Sequence, residues 1–285
     1  MTLSESRMKS LLFVALLFMS PAVLAECAST IPLEGAVSIK TCDSRTETCL
    51  SGAQAVHDYM NKVADDPSRL SVGVTASPWH FYDAEMRIIA VEELAALLRP
   101  QLTGNVKRVD LVASWTGVSP QRGIKSLAQR LSEALKGFPV NGQDGFLWIS
   151  RDGHLRTTRQ AFSLVRGSGP YSVAEGDEAM VSLVAGWPAS MEETYVNEKN
   201  AEGIMRAGAG WDVFYLCPER ALQAFDAAAK LKHPIAAYNA ALMRLERQGR
   251  GDRDAAGELL RQAAGMGDTK AREILKKLER EKTGK

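Results

Sequence analysis

Cysteine is scarce in this chain of 285 residues: Cys27, Cys42, Cys49 and Cys217 are the four, and no two form a CxxC pair. Histidine is equally sparse, with His57, His80, His154 and His233 scattered. Clustered thiolates and imidazoles are what a structural metal centre needs, so the sequence implies no metal and no cofactor. Charge of one sign is also lacking, the formal net charge being +1. No basic stripe is interleaved with aromatics, which leaves nucleic-acid binding without support. Long hydrophobic runs are missing too. Nothing beyond the first 25 residues approaches the roughly 20 apolar residues of a membrane-crossing helix.

What the N-terminus does have is a leader. Arg7 and Lys9 precede an apolar stretch from Leu11 to Met19, and Pro21 with small residues leads to a cut after Ala25. This is the pattern of a secretory signal peptide over 1–25. Glu26 occupies the place before Cys27 where lipid attachment needs a small residue. The expectation is therefore a soluble periplasmic protein, with a secreted form as the alternative and no integral membrane segment after cleavage.

Export places all four cysteines in an oxidising compartment, where an even count favours two disulfides. Three pairings are possible. Cys42 and Cys49 bound the short polar loop CDSRTETC, which can close on itself and leaves Cys27 to reach Cys217.

Residues 26–217 read as an α/β or α+β body. Apolar spacing predicts a helix over 50–64, a short strand at 70–76, and a helix running to Pro100. "RVDLVASW" (108–115) has the makings of a buried strand. The helix after it places Ile124, Leu127, Leu131 and Leu135 on one face and stops at Gly137. "FLWIS" and "LRTT", separated by a turn containing Asp152 and Gly153, predict a hairpin. A helix is expected from 191 to 207 and a last extended segment from 208 to 217.

The body offers tempting chemistry that fails on inspection. The strand–glycine–helix layout with Gly117, Gly123 and Lys125 resembles a phosphate loop, but the spacing is wrong. The same strand and helix faintly resemble the core of caspase-like cysteine hydrolases. The thiol those enzymes need is absent, and a triad of Ser114, His80 and Asp83 or Asp110 has no sequence signature. No catalytic residue is assigned, and a degenerate hydrolase stays as the alternative. The adjacent pairs Glu92–Glu93, Asp177–Glu178 and Glu192–Glu193 read as solvated charges, since neighbouring helical side chains diverge. The five tryptophans, Trp79, Trp115, Trp148, Trp187 and Trp211, read as core.

Residues 218–285 differ in character. They carry 15 basic and 10 acidic side chains, against 18 and 23 in residues 26–216. Alanine-rich helices are predicted at 219–231, 234–248, 253–264 and 268–281. Ala228, Ala229 and Ala236 recur 35 residues later as Ala263, Ala264 and Ala271, a period that signals stacked helical pairs.

Here the sequence resembles the Sel1-like repeats, relatives of the tetratricopeptide repeat. A double alanine (Ala228, Ala229), a break, and then Ala236, Tyr238, Asn239, Leu242 and Met243 follow that family's pattern. The glycine-containing loop RQGRGDRDAA leads into the next helix. Lys232 stands where the family has glycine, and Glu273 and Ile274 replace the Tyr–Asn pair in the second copy. The resemblance implies a non-enzymatic scaffold that binds a protein partner, such as an envelope adaptor or an immunity protein. The excess positive charge suggests an acidic partner or the acidic body itself.

Overall fold

A computed structural model describes residues 41–43, 48–50, 59–150, 152–158, 181–182, 189 and 191–282. The leader, Cys27, His57, Trp187 and the Asp177–Glu178 pair lie outside the described residues. Of the helix expected over 50–64, residues 51–58 lie outside them too, Leu50 ends a strand, and the helix at 59–60 gives way to a turn at 61–64.

The chain forms an α/β body followed by a run of packed helices. In the body, β3 (Arg69–Gly73), β7 (Arg108–Val112) and β8 (Val140–Asn141) make a parallel sheet in that order. The connections carry α1 (Val91–Leu98) and α2 (Leu127–Ala134). Successive crossovers moving in one direction place both helices on the same face. Leu94, Ala95, Leu127 and Leu131 accordingly share a core with Val109 and Leu111. The hairpin β9 (Phe146–Ile149) and β10 (Leu155–Thr158) forms as expected, with β11 (Val181–Ser182) on the other edge of β9. A third sheet orders β4 (Thr75–Ala76), β5 (Phe81–Tyr82) and β6 (Ile88–Ile89) antiparallel. Near the start of the chain, β1 (Thr41–Asp43) and β2 (Thr48–Leu50) set Cys42 directly opposite Cys49.

Two expectations need correction. Ile124 precedes α2 and is 48 % exposed, because Ser126 starts the helix with a reciprocal capping box to Gln129. The segment 191–217 is not one helix and a strand. It forms α3 (Glu192–Asn197) and α4 (Ala201–Val213), the second capped by Asn200. Its glycines suit close packing rather than a strand: a Cβ on Gly208 would sit 2.7 Å from the Phe225 ring of the next helix.

From there α5 (Pro218–Lys230), α6 (Pro234–Arg247), α7 (Asp252–Gly265) and α8 (Thr269–Lys282) each pack on the one before. Pro218 and Pro234 stand in the first turns of their helices, where the missing N–H costs nothing. Ala228, Ala229, Ala236, Ala263 and Ala271 are all buried, small side chains at helix crossings.

The 35-residue offset is a structural repeat. Lys232 N–H donates to Ala229 C=O and His233 N–H to Ala228 C=O; Gly267 to Ala264 and Asp268 to Ala263 repeat the same bonds. Both turns use a left-handed residue, Lys232 at φ 63° and Gly267 at φ 96°. Both next helices are capped by the following side chain: His233 Nδ1 accepts from Ala236 N–H and Asp268 Oδ1 from Ala271 N–H.

Candidate functional site

Among the described residues, two polar contacts between the body and the helical run stand out. The first is a hydrogen-bonded seam. Asn239, fully buried, accepts from Ile88 N–H at 2.8 Å and donates to Met86 C=O at 2.8 Å. Arg87 of the same hairpin lies 4.9 Å over the Tyr238 ring and donates to Asp268 at 2.6 Å. The Tyr–Asn pair of the repeat motif is therefore spent on the chain's own β5–β6 hairpin.

The second is a buried ionic cluster. Asp212 of α4 is fully buried, and its Oδ2 accepts from Ser77 Oγ (2.7 Å), His80 Nδ1 (2.9 Å) and the Tyr82 hydroxyl (2.8 Å). Its Oδ1 has no partner among the described residues. Ser77 is fixed in turn by the N–H groups of Trp79 and His80. On the opposite side, His80 Nε2 stands 3.5 Å from Glu246 of α6, and Glu246 accepts from Arg130 of α2 at 3.0 Å.

Burial alone would push His80 down, but the charge and hydrogen bond of Asp212, helped by Glu246, overcome it and raise the imidazole to about 10. At neutral pH it is a cation clasped by two carboxylates. Tyr82 is pushed well above its ordinary value by burial and by Asp212. Burial opposes the charge on Glu246, yet His80 and Arg130 keep its carboxyl below the usual range.

The supposed triad does not assemble in this arrangement. Ser114 Oγ accepts from Leu147 N–H at 3.0 Å, Asp110 pairs with Arg108 at 3.0 Å and Asn141 at 2.9 Å, and Asp83 accepts backbone N–H groups of its own turn. Gly117 serves a backbone crossing: a Cβ on Gly142 would meet its nitrogen at 2.4 Å. Lys125 pairs with Glu133. Among the described residues no cluster of metal-ligating side chains occurs, and no helix is long and apolar enough to cross a membrane.

Cys217 is disulfide-bonded, and no described cysteine is free. Glu192 is not a solvated charge, because it accepts from Trp211 Nε1 at 2.8 Å and Arg220 at 3.0 Å. Three of the tail's fifteen basic residues form ion pairs within it, Arg244–Asp226, Arg247–Asp252 and Arg253–Glu281. Lys270 and Arg220 reach the body's side at Glu93 and Glu192.

Above the ionic cluster lies a cleft of about 940 Å³. Helix α6 contributes Tyr238, Leu242, Met243 and Leu245; α8 contributes Lys270, Glu273, Ile274 and Lys277; α5 contributes Glu219 and Leu222. The body supplies Trp79, His80, Glu92, Pro120, Ile124 and Arg130. Tyr238, Leu242 and Met243 were marked by the sequence motif, and the rest were not. Asp212 carried one faint signal, a lone charge in the apolar run GWDVFY.

A family model described as a domain of unknown function (DUF8616) matches residues 45–157. That stretch holds Ser77, His80, Tyr82 and Arg130 but neither Asp212 nor Glu246. No curated protein and no solved structure matches the chain.

Proposed function

We propose that this chain is an exported, non-catalytic protein-binding protein of the adaptor or immunity type, whose Sel1-like helices and body together hold a segment of a partner protein. The cleft of about 940 Å³ carries the reading. Its apolar part combines Leu242, Met243 and Ile274 of the helices with Trp79 and the 48 % exposed Ile124 of the body. Leu242 and Met243 are buried at its floor, and Ile124 stands exposed above them among charged side chains, an apolar group rimmed by charges as contact surfaces have. The disulfide at Cys217 supports the oxidising compartment that the leader implies.

A binding role also fits the chemistry of His80. A general base must be neutral at working pH, and an imidazole held near 10 is charged. Its work is to join elements.

The test compares two single changes at exposed apolar residues. Ile124→Asp puts a charge in the cleft, while Leu97→Asp, at a 61 % exposed position of α1, lies outside it. A partner crosslinked to the native chain in the periplasm is expected to be lost with Ile124→Asp and kept with Leu97→Asp. Equal capture by both variants would remove the cleft from the account.

A further inference from the structure

The two copies of the repeat face different surroundings. In the first, Tyr238 and Asn239 are covered by the β5–β6 hairpin, which presents Arg87 followed by Ile88. In the second, 35 residues on, the same two positions hold Glu273 and Ile274, and both line the open cleft. The face that is occupied in one copy is thus unoccupied in the other, and the occupied one shows what such a face accepts: a cation beside an apolar side chain in an extended segment.

The charges of the cleft point the same way. Glu93 is paired with Lys270 and Glu246 with Arg130, while Arg247 is held by Asp252. Glu92, Glu219 and Glu273 are exposed cleft residues with no ion-pair partner among the described residues; Lys277 and, at Glu219, the charge of nearby Arg247 offset them in part.

Resting on the cleft as the binding site, we infer that it recognises an extended partner segment in which an apolar side chain is flanked by lysine or arginine. The apolar side chain enters among Ile274, Met243 and Ile124, and the flanking cations meet Glu273, Glu92 and Glu219. This differs from the sequence-level expectation of an acidic partner, because within the cleft Arg130, Arg247 and Lys270 are each paired and the unpaired carboxylates outnumber Lys277.

The probes are two fluorescein-labelled hexapeptides, Gly-Met-Arg-Ile-Arg-Gly and Gly-Met-Glu-Ile-Glu-Gly, titrated against the full chain lacking residues 1–25 and followed by anisotropy. The basic peptide is expected to bind and the acidic one not. Exposed ion pairs are worth up to ~1 kcal/mol each, so the triple variant Glu92→Gln, Glu219→Gln, Glu273→Gln should weaken the basic peptide about tenfold. All three positions are exposed, so the variant keeps the fold, and an unchanged melting temperature checks this. Ile124→Asp reports separately on the cleft. If the acidic peptide binds as well as the basic one, or the triple variant binds the basic peptide unchanged, the charge assignment is overturned, and loss of binding in Ile124→Asp then leaves the cleft standing. If neither peptide binds, the inferred recognition is wrong, and the partner-capture comparison decides the cleft by itself.

Discussion

His80 Nδ1 lies 2.9 Å from Asp212 Oδ2 across 132 positions of sequence, and both side chains are buried. The pair joins the β4–β5 turn to α4. Replacing His80 by Ala leaves the Asp212 carboxylate buried without its counter-charge, a change that costs about 3–5 kcal/mol. Glu246→Gln, at a side chain 39 % exposed, should cost ~1 kcal/mol or less. Urea unfolding of the two variants measures the contrast, and equal losses would contradict it.

The same pair sets a pH dependence. The imidazole is raised from 6.5 to about 10 on folding, so its stabilisation is complete below pH 6.5 and fades as pH climbs through 10. The urea midpoint of the native chain minus that of His80→Gln should therefore shrink steadily between pH 7 and 10. A difference that stays constant over this range would mean that the charge on His80 contributes nothing.

Asn239 makes two buried bonds to the hairpin backbone. Asn239→Ala strands a buried N–H and weakens a C=O, at an expected loss of about 2–4 kcal/mol. Ile274→Ala, at the equivalent and partly exposed position of the second copy, should lose less. Thermal melts of both report the order.

Lys232 holds a left-handed backbone at φ 63° that its counterpart Gly267 adopts without strain. Lys232→Gly should gain roughly 0.5–1 kcal/mol, and Gly267→Ala should lose a similar amount. Opposite shifts in melting temperature are the expected result.

Glycine inside a helix is disfavoured by about 1 kcal/mol relative to alanine, yet Gly208 and Gly257 should answer differently. At Gly257 the nearest atom to a new Cβ is Arg261 Nη1 at 3.8 Å, so Gly257→Ala stabilises. At Gly208 the new methyl meets the buried Phe225 ring, and an overpacking cost of about 1–3 kcal/mol cancels or outweighs the propensity gain. Denaturation midpoints of the two alanine variants should diverge.

The four terminal helices were legible because their signals are local. Alanine and leucine recur at helical spacing, Pro218 and Pro234 mark starts, and each predicted end falls within a residue or so of the observed one. The second half of helix α4, residues 208–213, was illegible for the converse reason. Gly208 and Gly210 argue against a helix locally, and packing against α5 overrides them. The ionic cluster was hidden by distance along the chain: nothing in the sequence around Ser77, His80 and Tyr82 points to Asp212, 130 or more positions away. Ile124 was assigned to a helix face because apolar spacing does not reveal that Ser126 begins the helix.

Strand β6 ends its three-stranded sheet, and its outer edge offers the kind of unsatisfied main-chain row on which a second chain can grow a strand. The amide of Asn239 fills the Ile88 donor and the Met86 acceptor on that edge, as a neighbouring strand would. A helix-borne side chain thus serves as the sheet's terminator. A chain that loses its last helices would lose this protection with them, and self-association of the truncated product, rather than a loose but monomeric body, is what should follow.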